Sequence, residues 1–191
     1  MVRKLKLNPK IIPWGGVKTV ARITWYLKHE TIHVLIGVAF AWFLREFWGE
    51  YSSKQLYLSI IGSLVPDLDH FIFFFFYGRK DPYSIQVKEF LRQGKISNLA
   101  SFMAAGHKDN TNLWSHNIYN IGFLLLGVVF FYQLDWKMAV VLLGSMILHF
   151  VFDIIDDLVV LGTVNPNWKR WGRPRVVGSV DPFELKSKSS K

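Results

Sequence analysis

The sequence predicts an all-α protein: an integral-membrane helical bundle of about four spanning helices, joined to amphipathic interfacial helices. Two observations predict it. First, 51% of the 191 residues are hydrophobic, with 16 Phe and 8 Trp, and they are gathered in blocks rather than set in a steady 3.6-residue rhythm. Second, the 23 Lys and Arg avoid alternate connections between those blocks. Seven lie in residues 1–28, six in 78–117 and seven in 168–191, while the joining segments 45–54 and 133–137 hold three between them. Positive charge kept to one side is the pattern of a chain that crosses a membrane repeatedly, with both termini and the middle loop cytoplasmic.

Residues 1–28 read as a basic arm followed by an interfacial helix. Pro9, Pro13, Gly15 and Gly16 break up the arm. Over 17–28, Val17, Val20, Ala21, Thr24 and Leu27 share one helical face and Lys18 and Arg22 another, as in a helix lying on a membrane surface. An amphipathic helix on a soluble core has the same pattern. No short apolar region with a cleavage site follows the basic start, so no removable signal peptide is expected.

The membrane domain is expected over 29–166. Its apolar runs are 31–48, 55–77, 118–134 and 136–163, set against the roughly 20 residues that a span requires. The first and third are slightly short, and the second and fourth carry charged residues. Between the second and third, 83–104 mixes Ile85, Val87, Phe90, Leu91, Leu99 and Phe102 with Lys88, Glu89, Arg92 and Lys95, which predicts a helical cytoplasmic excursion lying on the surface. Residues 167–191 read as a basic tail. The charge distribution accounts for the net charge of +9 without nucleic acid, and no basic run interleaved with aromatics suggests a nucleic-acid groove reader.

Polar residues inside the apolar runs are the candidates for function, because an ionised group there is costly unless it is paired or binds a metal. In Gly62-Ser63-Leu64-Val65-Pro66-Asp67-Leu68-Asp69-His70, two carboxylates and an imidazole follow a proline that breaks or kinks the helix. In the fourth run His149 and Asp153 stand one turn apart, and Asp156 and Asp157 continue that face. Helix caps or buried hydrogen-bonded pairs would also use such residues, but carboxylates with no Lys or Arg nearby repel one another, and a cation relieves that. His33 and His116 lie at a similar depth to Asp67, His70 and His149, roughly 20 Å from the outer turns at helical rise. Four segments thus present ligand-type groups at one level. His29-Glu30-Thr31-Ile32-His33 also matches the H-E-x-x-H pattern of zinc proteases, a short motif that arises readily by chance. There is no Cys, so a metal must be held by His, Asp and Glu; this suits zinc, manganese, magnesium or iron.

These residues carry a resemblance. His33 followed by Gly37, the Gly62-Ser63-x-x-Pro66-Asp67-x-Asp69-His70 run, Ser115-His116, and Gly144-x4-His149-x3-Asp153 resemble the membrane-bound metal-dependent hydrolase family, also described as LexA-binding, inner-membrane-associated hydrolases. The match covers residues 31–166 and is similar in motif logic to zinc-dependent phospholipases C. It departs in the middle motif, where His107-Lys108-Asp109-Asn110-Thr111 and Trp114-Ser115-His116 are more widely spaced than in the family; His116 is the better match and His107 the weaker. The family pattern does not require His29 or Glu30.

The resemblance implies a multi-pass hydrolase of the cell membrane and names no substrate; we expect it to act on a phosphoester of a lipid or lipid-linked substrate. His33, Asp67, Asp69, His70, His116, His149 and Asp153 are the expected ligands of one or more divalent cations, zinc foremost, with manganese or magnesium as alternatives. A metal-activated water is the expected nucleophile, with Asp156 or Asp157 as the carboxylate that orients or deprotonates it. Two rivals remain. One is a non-catalytic membrane protein whose metal site is structural or sensory, or an ion pathway. The other is a soluble helical enzyme with an unusually apolar core.

Overall fold

A computed structural model describes residues 17–106 and 113–169, with side chains over 29–103 and 113–169. Helix α1 (Val17–Trp48) is one uninterrupted rod of 32 residues, because no proline stops it before Gly49 turns the chain in the left-handed region at φ +67°. The interfacial helix expected over 17–28 and the first apolar run are therefore a single helix, which corrects the boundary drawn at residue 28. The arm over 1–16 and the side chains of 17–28 lie outside the described residues.

Helix α2 (Ser53–Leu64) opens on a reciprocal cap, in which the Ser52 hydroxyl accepts from the Gln55 amide and the Gln55 side chain accepts from Ser52. Pro66 has no N–H to offer, and the backbone tightens there into a 3-10 turn over Val65–Asp67. Helix α3 (Leu68–Ile72) resumes the run, and a π-helical turn over Phe73–Tyr77 ends it, with the Gly78 amide reaching back to the Phe73 carbonyl at 2.9 Å. The excursion folds as two helices, α4 (Pro82–Arg92), capped by Asp81, and α5 (Ile96–Gly106). Val87 is buried with Phe73, Phe74 and Leu113, and Tyr83, Leu99, Phe102 and Met103 close over them. The pair is thus packed on one end of the bundle rather than only laid on a surface. Helix α6 (Ile118–Gln133) starts at the Asn117 cap, and α7 (Lys137–Leu161) ends where Gly162 adopts φ +69°.

Helix α2 packs between α1 and α7, and α6 packs on α7. Small residues set these approaches. A Cβ on Gly62 would lie 2.1 Å from Ser145 Oγ and 2.6 Å from the Leu142 carbonyl, and one on Gly37 would lie 2.8 Å from the Ser59 carbonyl and Ser63 Oγ. The Ser59 hydroxyl donates to the Gly37 carbonyl at 2.7 Å, tying α2 to α1.

The described residues form an all-helical bundle in which three stretches, His29–Trp48, Ser53–Tyr77 and Lys137–Leu161, are long and apolar enough to cross a membrane. The third apolar run gives only the 16 residues of α6, about 24 Å at helical rise against a hydrocarbon core of about 30 Å. The helix begins at the Asn117 cap, directly after His116, whose side chain is buried. The polarity of the molecule is inverted relative to a soluble domain. Phe123, Leu126 and Val159 are 73%, 71% and 78% exposed, whereas His33, His149, Ser59, Ser63 and Ser145 are fully buried. Asn167 and Trp168, at the start of the expected tail, are also buried, in a 3-10 turn over Pro166–Lys169 that packs on α6 and α7. The described part of the chain therefore stays bound to the bundle past residue 166.

Candidate metal centre

Helix α7 supplies the middle of the centre. The His149 Nδ1 lies 2.6 Å from the Ser63 carbonyl oxygen, which can only accept, so Nδ1 carries a hydrogen and Nε2 is turned toward the acids. That Nε2 is 3.1 Å from Asp153 Oδ2 and 3.8 Å from Asp67 Oδ1. It is fully buried and has no hydrogen-bond partner, as is also true of Asp67 Oδ2. Lone pairs facing one another at 3.1 Å in a buried site repel unless a proton or a metal cation lies between them. Such a set of atoms fits a metal ion, and an outward Nδ1–H to a carbonyl is how metal-binding imidazoles are held.

His116 is oriented in the same way through a longer relay. The Ser115 hydroxyl donates to Asp69 Oδ2 at 2.8 Å, and its oxygen lies 3.0 Å from His116 Nδ1. The hydroxyl hydrogen is already given to Asp69, so the Ser115 oxygen accepts from Nδ1–H. His116 Nε2 is then left facing Asp153 Oδ2 at 3.5 Å. Burial alone would push the His116 imidazole down, but the Asp153 and Asp69 carboxylates outweigh it and raise its pKa to about 9. When no metal is bound, a proton takes the position that a cation would fill. Asn167 Nδ2 donates to the His116 carbonyl at 2.8 Å and to that of Leu113 at 3.2 Å, so the turn over Pro166–Lys169 holds this stretch of backbone in place.

Helix α1 brings His33, buried and stacked on His149 at a ring separation of 3.9 Å, with Nε2 3.5 Å from Asp153 Oδ1. One turn earlier His29 places its Nε2 3.2 Å from that of His33. Asp67 Oδ1 is also 3.9 Å from His70 Nε2. Four overlapping groups result, each with ligand atoms within 4.8 Å of one another: His29, His33 and Asp153; His33, Asp67 and His149; Asp67, His70 and His116; and His116, His149 and Asp153. The charged partners of Asp67 and Asp153 are histidines, with no Lys or Arg paired to either among the described residues. The side chains of His70 and Asp67 are 23% and 19% exposed while those of His33 and His149 are sealed, so the centre opens on its His70–Asp67 edge.

Six of the seven expected ligands, His33, Asp67, His70, His116, His149 and Asp153, thus converge. Asp69 does not join them. Its Oδ1 accepts from the Tyr77 hydroxyl at 2.7 Å, and its Oδ2 accepts from the Ser115 amide at 2.7 Å as well as from the Ser115 hydroxyl. The 3-10 turn after Pro66 separates the two acids, and Asp69 positions His116 instead of presenting a ligand atom. Asp157 is buried and accepts from Trp168 Nε1 at 2.8 Å, so it anchors the turn over Pro166–Lys169. Asp156 is partly buried one turn beyond Asp153, close enough for its charge to bear on His29. His107 lies outside the described residues.

Sequence reasoning missed the parts played by the Ser63 carbonyl, Tyr77 and Asn167. It left His29 undecided, although the four-residue spacing to His33 was there to read. Compared with family models, curated proteins and solved structures, the chain matches none.

Proposed function

We propose that the chain is a multi-pass membrane hydrolase, dependent on a divalent cation and acting on a phosphoester of a lipid or lipid-linked substrate. The observation that carries this reading is the buried, unpartnered His149 Nε2 facing Asp153 and Asp67. His116, His149 and Asp153 would hold the ion, with Asp67, His33 and His70 around it. A divalent ion in such a place polarises the phosphoryl group and makes water acidic enough to attack at neutral pH. Asp67 Oδ2, buried and without a hydrogen-bond partner, is placed to accept a proton from the attacking water; Asp156 is the reserve carboxylate. The water oxygen bonds to phosphorus as the ester P–O bond breaks, and the departing alkoxide takes up a proton. The partly open His70–Asp67 edge admits a headgroup, and this favours a catalytic over a closed structural or sensory site.

Membership of the membrane-bound metal-dependent hydrolase family, zinc as the ion, and cytoplasmic termini are part of the same proposal. The positive-inside charge pattern supports the topology, and the basic middle loop would draw an anionic headgroup toward the centre. A protease reading draws on His29-Glu30-x-x-His33 meeting Asp153. The larger number of converging His and Asp side chains favours the phosphoesterase, since a zinc protease needs three ligands.

The test uses the purified full chain in detergent micelles, loaded with zinc or manganese and offered phospholipid, a chromogenic phosphodiester, and casein. Phosphoester hydrolysis and metal content should fall together in His149→Ala, by at least about 100-fold in rate, the order of effect expected when a metal centre is disrupted. Full metal occupancy in that variant, or cleavage of casein alone, would overturn the proposal.

A further inference from the structure

The two oxygens of Asp153 face different partners. Oδ2 addresses His149 Nε2 at 3.1 Å and His116 Nε2 at 3.5 Å, whereas Oδ1 addresses His33 Nε2 at 3.5 Å. His33 Nε2 in turn meets His29 Nε2 at 3.2 Å, with the two rings edge to face at 4.6 Å. The spacing of four residues on α1 directs both rings to one side of the helix, and that side faces α7. Two imidazole nitrogens this close share at most one proton. The neighbouring carboxylate oxygen makes the trio a complete three-point ligand set, with its ligand atoms within 4.8 Å of one another. It is separate in its atoms from the His116, His149 and Asp153 Oδ2 set, because the two sets share only the Asp153 side chain and use opposite oxygens of it.

We propose that the centre is dinuclear, with a second divalent cation held by His29 Nε2, His33 Nε2 and Asp153 Oδ1, and with Asp153 as the bridge between the two ions. A carboxylate that bridges two cations through its two oxygens is the usual way for ions about 3.5–4 Å apart to be held against their mutual repulsion. The chemistry suits a borderline ion that accepts imidazole, such as zinc, manganese or iron, better than magnesium, which favours oxygen ligands. His29 is thereby assigned as a ligand rather than as half of a protease motif. Glu30, its sequence neighbour, lies about 100° around the helix from it and forms no part of the second ligand set. The inference rests on the proposed metal centre and adds a second ion to it.

The experiment measures metal bound per chain on full-length protein in detergent. The protein is stripped with chelator, reloaded with manganese alone, and freed of excess ion. Wild type should bind two ions per chain and His29→Ala one, and His29→Glu, which returns a ligand atom, should restore binding of the second. A readout on wild type alone covers the case in which His29→Ala fails to fold. At two equivalents of manganese the electron paramagnetic resonance spectrum should show exchange-coupled ions, and at one equivalent it should show isolated ions. One ion per chain in wild type, or two in His29→Ala, overturns the dinuclear assignment and leaves the proposed function standing. No bound ion in wild type overturns both.

Discussion

At the scale of the residue, Asp69 shows how far a carboxylate's role depends on what it accepts from. Among the described residues its side chain pairs with Tyr77, Ser115 and, at 3.9 Å, His116 Nδ1, so its influence on a bound metal would pass through the orientation of one imidazole. Asp69→Asn keeps the shape and removes the charge. It should weaken metal binding about 10- to 100-fold while leaving the number of ions bound unchanged, read by competition with a chromogenic chelator. His116 makes a second prediction. Its pKa of about 9 means that at neutral pH a cation must displace a proton from Nε2. Affinity should therefore rise with pH by up to about tenfold per unit and level off near pH 9, with a proton released on binding that calorimetry in buffers of different ionisation enthalpy will detect. In the metal-free chain the same raised pKa stabilises the fold below the unfolded value of 6.5, and that contribution is lost as pH climbs through about 9.

At the scale of the element, the centre depends on how closely α2 approaches α7. The Ser63 carbonyl reaches His149 Nδ1 only because its neighbour Gly62 has no side chain to hold Ser145 and Leu142 away. Gly62→Ala places a methyl carbon against both. It should destabilise the bundle by about 1–3 kcal/mol, seen as a lowered melting temperature in detergent, and should reduce metal binding through a residue that touches no ligand atom. The sequence shows the long apolar helices and where Pro66 interrupts the second run, because hydrophobic blocks and a missing N–H are local signals. It does not show that 17–48 is one helix, since the amphipathic pattern of 17–28 suits either a separate interfacial helix or the first turns of a long one. Nor does it show the π-helical turn that swings Tyr77 back onto Asp69, a change in pitch with no mark in a run of Phe.

At the scale of the whole molecule, many large apolar side chains face outward while His33, His149, Ser59, Ser63 and Ser145 are buried, as are two apolar clusters. An alkaline carbonate wash should leave the protein in the membrane pellet, and detergent should be needed to release it; release by salt or alkali would favour the soluble-enzyme reading. The convergence of His33, Asp67, His70, His116, His149 and Asp153 was legible in sequence because each sits in or beside an apolar run at a common depth, where an isolated charge is too costly to be accidental. The bond from Trp168 to Asp157 was not legible, because Trp168 lies in a segment whose composition reads as a tail. Sequence spacing places residues on one helix but says nothing of a side chain arriving from beyond its end.

That arrival sets an order of assembly. Asn167 grips the carbonyls of His116 and Leu113, and Trp168 grips Asp157, so the turn over Pro166–Lys169 clamps a backbone segment that is made some fifty residues earlier. During synthesis His33 and Asp67 are in place while the clamp is still unmade, and His149 and Asp153 follow shortly before it. An ion arriving early meets half a coordination shell and can leave again. On the proposed metal centre, the full ligand set with its clamp exists only once the chain has been made past Trp168, so an ion would be held firmly only after that point.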